Sequence, residues 1–322
     1  MLRITKQLLC YALTAFLLVF AAMTSVAEVK SNPAHHKVVL PAGVVPLTWQ
    51  PTPEHLAIDT DEARALYTRI RRKDFPSLEE LKQSPVVAGL DALSAYYREL
   101  YGNTADIDTP ERLQLREKVK REFLAMGSAV KTAGNQDALG EYSFNGSLAK
   151  DYQMVLVMGL PAARKSHQYT NPNSERMQAF ILDCDVVKEL LPEYQASYGG
   201  AADAVHFESF AIMDAAMQEF LTGEMKGTNV ILPIVATDLE ELTAKYITPF
   251  EEAGYNVHAV FMDCTEEYST GRNVARQLDT GRVFRSEVAF SFGNKPREVY
   301  FSLKDKLNAK GEPYGLEVIK SR

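Results

Sequence analysis

Val155-Leu156-Val157-Met158-Gly159-Leu160-Pro161-Ala162-Ala163-Arg164-Lys165-Ser166, followed after twelve residues by Ala179-Phe180-Ile181-Leu182-Asp183-Cys184-Asp185, decides the fold. Each apolar run is short and bounded by turn or acidic residues, which predicts a buried strand. The stretch between them has room for a loop and a helix. A loop of the form Gly-x-x-x-x-Gly-Lys-Ser/Thr at a strand end wraps phosphates in backbone N–H groups. Its Lys neutralises phosphate charge and its hydroxyl holds Mg²⁺. Gly159, Lys165 and Ser166 satisfy that pattern, but Arg164 stands at its second glycine. A residue without a side chain lets the backbone approach a phosphate closely. Arg164 therefore either grips a phosphate or fills the loop.

Outward from this stretch, apolar runs continue to alternate with helix-like periods. Candidate strands are 154–158, 179–182, 229–234, 257–262 and 299–303, with helices at 202–222, 239–253 and 266–279 and a loop at 281–296. Such alternation predicts an α/β fold with a doubly wound, mainly parallel sheet. Upstream, residues 59–131 read as helical. Ser77-Leu78-Glu79-Glu80 has the form of a capping box, and Thr109-Pro110 places Pro at a helix start. The basic run 69–73 reads as a solvated helix face. The expected organisation is a leader at 1–27, an extended Pro-rich arm at 28–58, a helical segment at 59–150 and the α/β domain at 151–322.

The leader reading rests on Arg3 and Lys6, the apolar run 8–23 and the small residues Ser25-Val26-Ala27. Together they predict a secretory signal cleaved after Ala27, hence export, with an uncleaved anchor as the other reading. After cleavage no membrane anchor is expected. The chain carries a formal charge of −7, and losing a leader with two basic residues would make it more acidic. That balance argues against nucleic-acid binding. Cys184 and Cys264 remain after Cys10 leaves with the leader. Each falls near an expected strand end and reads as a buried free thiol.

Taken in order, several further segments resemble the zeta-toxin family of P-loop kinases. Gly159-Leu160-Pro161 and Lys165-Ser166 resemble its phosphate loop. Asp183-Cys184-Asp185 with Lys188 to Pro192-Glu193-Tyr194 resembles its acidic strand end and continuation. His206-Phe207-Glu208-Ser209 is similar to the start of its next helix. Arg272, Arg276, Gly281 and Arg282 resemble its arginine-bearing lid. The resemblance implies ATP or GTP as donor, Mg²⁺, and a small hydroxyl-bearing acceptor such as a nucleotide sugar. It implies Asp185 as the base that accepts the hydroxyl proton. Arg276 and Arg282 would clamp phosphate, and Gly159, Arg164, Lys165 and Ser166 would bind the donor, Ser166 also reaching the metal. Asp183, His206, Glu208 and Ser209 would touch substrate. It also implies a toxin or effector role and a protein partner such as an antitoxin.

Two departures stand beside the resemblance. Arg164 replaces a small residue, and the third strand runs into Pro233 with no carboxylate at its end; Asp238 is the nearest acid. They motivate a second reading, a P-loop fold that has lost its chemistry and holds a ligand or a protein. A third reading makes the helical segment a docking or inhibitory element over the cleft.

Overall fold

The computed structural model describes residues 53–126, 148–309 and 316–321. The expected leader and most of the arm lie outside these residues. Among those described, no helix is long and apolar enough to cross a membrane.

Three helices form the first layer: α1 (Asp61–Arg71), α2 (Leu78–Lys82) and α3 (Pro85–Tyr101), followed by α4 (Pro110–Met126). Side-chain caps set their starts. Thr60 Oγ1 accepts from the Ala63 N–H at 3.1 Å, and Ser77 Oγ accepts from Glu80 at 3.2 Å, each satisfying a donor with no intrahelical partner. The Glu80 carboxylate does not complete the expected box as its main contact; it pairs with Arg69.

The sheet follows: β1 (Gln153–Gly159), β2 (Phe180–Ile181), β3 (Val230–Ile234), β4 (Asn256–Asp263) and β5 (Leu316–Lys320). All pairings are parallel, in the order β2-β3-β1-β4-β5. Strand β1 is central, and its residues divide by the pleat. Met154, Leu156 and Met158 enter one core, Val155 and Val157 the other. Burial on both faces explains the unbroken apolar run.

Between strands lie α5 (Asn171–Met177), α6 (Cys184–Leu190), α7 (Pro192–Ala196), α8 (His206–Leu221), α9 (Leu239–Leu242), α10 (Thr248–Glu252), α11 (Glu266–Thr280), α12 (Ser286–Ala289) and α13 (Lys295–Ala309). The fifth strand expected at 299–303 is instead part of α13. Val299, Tyr300 and Leu303 are buried while Phe301 and Ser302 are exposed, a helical spacing that a short apolar run conceals. The loop expected at 281–296 contains α12 and the start of α13.

The helical segment shares the core of the sheet. Val119 and Phe123 of α4 pack with Phe180 and Phe220, and Leu90, Leu93 and Tyr97 of α3 pack with Ala201, Val274 and Val283. An ion cluster joins the same parts. Arg112 is 8% exposed and bonds Glu193 at 2.6 Å and Glu208 at 2.8 Å, while Arg116 reaches Glu208 at 2.7 Å.

Candidate active site

At the carboxyl end of β1, where ligands of open parallel sheets bind, the chain turns sharply at Gly159, φ +148°. A Cβ there would meet the Met262 carbonyl oxygen at 2.8 Å, so only glycine fits. The loop then passes through left-handed Ala162 (φ +53°) and Arg164 (φ +61°). For residues with a Cβ that conformation costs roughly 1–2 kcal/mol each. The loop thus keeps, without its second glycine, the backbone shape that glycines usually supply. It is held from two sides: Ser269 Oγ donates to the Pro161 carbonyl at 2.7 Å and Ser321 Oγ to Ala163 at 2.8 Å.

Lys165 closes the loop on itself, its Nζ donating to the carbonyls of Gly159 and Leu160, each at 2.9 Å. Burial lowers its ammonium to about 8, against the raising pull of Asp183. Ser166 opens a short π-helical turn and is exposed.

Asp183 is the N-cap of α6, its Oδ1 accepting from the Asp185 N–H at 2.9 Å. Cys184 and Asp185 therefore start a helix rather than end a strand; Cys184 and Cys264 are free thiols, half-buried rather than buried as expected. Burial and the neighbouring Asp185 push the Asp183 carboxyl up. Burial pushes Asp185 the same way, but Arg282, Lys188 and Arg276 outweigh it and hold Asp185 well below the usual carboxylate range. Lys188 Nζ lies 2.9 Å from Asp185 Oδ1, and Arg282 pairs with the same oxygen. From α11, Arg276 donates to Asn273 Oδ1 at 3.2 Å; burial and then Arg282 lower its guanidinium to about 10.

These groups face one cavity of about 880 Å³, large enough for a nucleotide and a second small molecule. Its lining holds ten Lys and Arg against six Asp and Glu, on a chain that is acidic as a whole. Gly159 sits behind it as the turn; Arg164, Lys165, Ser166, Asp183, Asp185, His206, Arg276 and Arg282 all line it. His206 opens α8 among aromatic rings, 5.0 Å from Phe210 and 4.9 Å from Phe284. Burial and Lys188 lower its pKa to about 3, so the ring is neutral.

Glu208 and Ser209, expected to touch substrate, are not among the lining residues. Glu208 points into the ion cluster with Arg112 and Arg116, and Ser209 Oγ donates to the His206 carbonyl at 2.6 Å. Burial opposes ionisation of Glu208, but the two arginines prevail and lower its pKa. Asp238, after β3, caps α9 by accepting from Glu241 at 2.8 Å. In the other direction, Arg71, Lys73 and Phe75 line the cavity, although their stretch reads as a solvated face. The signal available was the apolar Phe75-Pro76 step closing the basic run. A helix face alone does not say what it will cover.

The donor set fits a nucleotide and a metal. The loop presents backbone N–H groups, and the cavity an excess of cations. Among the described residues, Asp183, Cys184 and Asp185 bring their ligand atoms within 4.8 Å of one another. Their carboxylates, with the Ser166 hydroxyl, are hard oxygen donors of the kind Mg²⁺ takes. Burial raises the Cys184 thiol, so it stays protonated and is a poor ligand.

No curated protein gives a significant match to this sequence. Among solved structures, one similar chain comes from the AvrRxo1-ORF1:AvrRxo1-ORF2 structure with sulphate ions. It is 16% identical with a TM-score of 0.49, over 76% of this chain and 70% of that one. Another belongs to the PezAT chromosomal toxin–antitoxin system of Streptococcus pneumoniae, 12% identical with a TM-score of 0.41, over 66% of this chain and 79% of that one. The family model that matches is that of the zeta toxin, over residues 145–300, the stretch that contains the loop, the acid pair and the arginines. Residues 145–300 of this chain therefore match the zeta-toxin family, on a five-stranded parallel sheet flanked by helices.

Proposed function

We propose that the protein is a nucleotide-dependent kinase that moves the terminal phosphoryl group of ATP or GTP to a hydroxyl of a small molecule, in the manner of a toxin. The observation that carries this reading is the convergence of the left-handed loop, Lys165, Asp185, Arg276 and Arg282 on one cation-rich cavity. Bound nucleotide would supply the transferable group, and Mg²⁺ would offset its charge. Lys165 would release its two carbonyl partners to bind phosphate oxygens. Arg276 would stabilise charge developing on the transferred group. Asp185 is ionised and so able to accept the hydroxyl proton. Its two cations must loosen for it to do so, because they now favour the charged carboxylate.

The cation excess suits an anionic acceptor, and a nucleotide sugar is the class we favour. The family match supports a toxin role with a protein antitoxin as partner. Export is part of the same proposal, supported by the leader-like start at 1–27; intact mass of the mature protein would test it. A second reading, a binding module without turnover, is favoured by the double clamp on Asp185 and by β3 ending at Pro233-Ile234 with no acid.

Calorimetric titration with ATP and Mg²⁺, then phosphate transfer to a panel of nucleotide sugars and small alcohols, separates the two. The kinase reading expects binding that Lys165→Ala weakens by about tenfold or more, and turnover that Asp185→Asn abolishes with affinity within a few-fold. Binding with no transfer to any acceptor favours the module. No binding at millimolar ATP defeats both nucleotide readings.

A further inference from the structure

Residues 61–75 precede the family match, yet their side chains form one wall of the cavity. Tyr67 and Arg71 come from α1, and Lys73 and Phe75 from the turn that follows. Phe75 reaches across to α11, where its ring lies 5.0 Å from that of Tyr268 at 56°. Gly271 permits the contact, since a Cβ there would meet Phe75 Cδ1 at 2.9 Å. The Arg272 guanidinium sits 5.8 Å from the Tyr268 ring centre, and Arg71 sits 5.9 Å from that of Tyr67. Tyr67 Oη donates to Asp279 of α11 at 3.2 Å, fixing the wall to the lid helix.

This wall adjoins the phosphate loop. Ser269, next to Tyr268, bonds the Pro161 carbonyl. A ligand whose phosphates lie in the loop thus meets aromatic faces and guanidinium groups at the loop's outer side. Flat rings with cations beside them suit a flat, electron-rich heterocycle, which they hold by stacking.

We propose that this shelf, built jointly by the helical segment and α11, seats the base of the donor nucleotide, Phe75 and Tyr268 being its stacking residues. The proposal rests on the kinase reading for the identity of the ligand. It goes further in assigning part of the donor site to residues outside the zeta-toxin domain. Stacking reads a face rather than an edge, so the shelf accepts ATP and GTP alike.

Paired titrations with ATP and with inorganic tripolyphosphate, both with Mg²⁺, test the shelf on the full chain. Tripolyphosphate reports the loop alone; ATP reports loop and shelf. Phe75→Ala and Tyr268→Ala are expected to weaken ATP about tenfold and leave tripolyphosphate within twofold. Lys165→Ala should weaken both. Thermal unfolding checks that the variants fold. Arg71→Ala, at an exposed position, and Gly271→Ala, which displaces Phe75, give the same selective loss without truncating a ring. ATP binding unchanged in all four shelf variants while Lys165→Ala weakens it overturns the shelf and leaves the loop reading intact. Tighter ATP binding in the shelf variants would show the wall to be an obstruction, which also overturns it. If the wild type binds neither probe, the kinase reading fails first and the shelf with it.

Discussion

Arg164→Gly should move stability and nucleotide affinity in opposite directions. The backbone at 164 is left-handed, φ +61°, which costs a residue with a Cβ about 1–2 kcal/mol. Glycine removes that strain but adds freedom to the unfolded chain, a loss of about 0.5–1 kcal/mol. The net gain is about 0.5–1 kcal/mol, or a rise in Tm of roughly 1–3 °C for a chain of this size. The guanidinium lines the cavity beside Lys165, so its loss removes a charge-assisted contact of about 1.5–3 kcal/mol to a bound phosphate. ATP should then bind roughly 10–150-fold more weakly. Arg164→Ala separates the two effects, because it removes the guanidinium and keeps the strain; it should lose affinity equally and gain no stability. Scanning calorimetry and ATP titration of the three proteins are sufficient. Equal or tighter ATP binding by Arg164→Gly would refute the argument and identify Arg164 as a plug.

Two further predictions concern the groups around the site. Arg112→Ala leaves the fully buried Glu208 with Arg116 as its remaining arginine, and should destabilise by about 3–5 kcal/mol in denaturant unfolding, as broken buried pairs do; a loss below about 1 kcal/mol would mean the cluster behaves as a surface pair. His206 is held neutral, its pKa lowered to about 3 from 6.5, so its contribution is fully present above 6.5 and fades as pH falls towards 3. Relative to His206→Gln, the wild type should lose about 1.4 kcal/mol per pH unit below 6.5, or about 2 kcal/mol by pH 5; parallel stability curves for the two would show that the ring is solvated.

The sheet was legible because a strand buried on both faces cannot be polar at alternate positions. Residues 154–158 and 259–262 therefore show as unbroken apolar runs, and the loop after β1 is marked by Gly159, Lys165 and Ser166. Strand β5 was hidden for the opposite reason. Leu-Glu-Val-Ile-Lys is a short half-polar edge, while the apolar Val299, Tyr300 and Leu303 sit on a helix. The acid pair shows a finer limit. Asp183 and Asp185 share two-residue spacing on either element, and only the cap bond from Asp185 N–H to Asp183 decides that the helix has begun. Glu208 was beyond reach, since its charge is answered by Arg112 and Arg116, some ninety residues earlier. Its motif position says nothing of which side of α8 those arginines will cover.

The same long-range contacts bear on where the working unit begins. The family match starts at residue 145, but the core does not. Phe123 stacks edge-on against Phe180 of β2 at 5.1 Å, and Tyr97 occupies the space that a Cβ on Gly200 would need, 2.1 Å away. Cutting the chain at 148 would strip the cover from Phe180, leave Glu208 and Glu193 without Arg112, and remove the Phe75 wall from the cavity. Exposing one core aromatic costs about 2–3 kcal/mol, and removing the arginine partners of a carboxylate that stays buried costs about 3–5 kcal/mol. Losses of that size at several points exhaust the 5–15 kcal/mol that holds a typical domain folded. The helical segment is thus part of the same fold as the sheet in energetic terms. An inhibitory role for it would require α1 and the 72–75 turn to move while α3 and α4 stay docked.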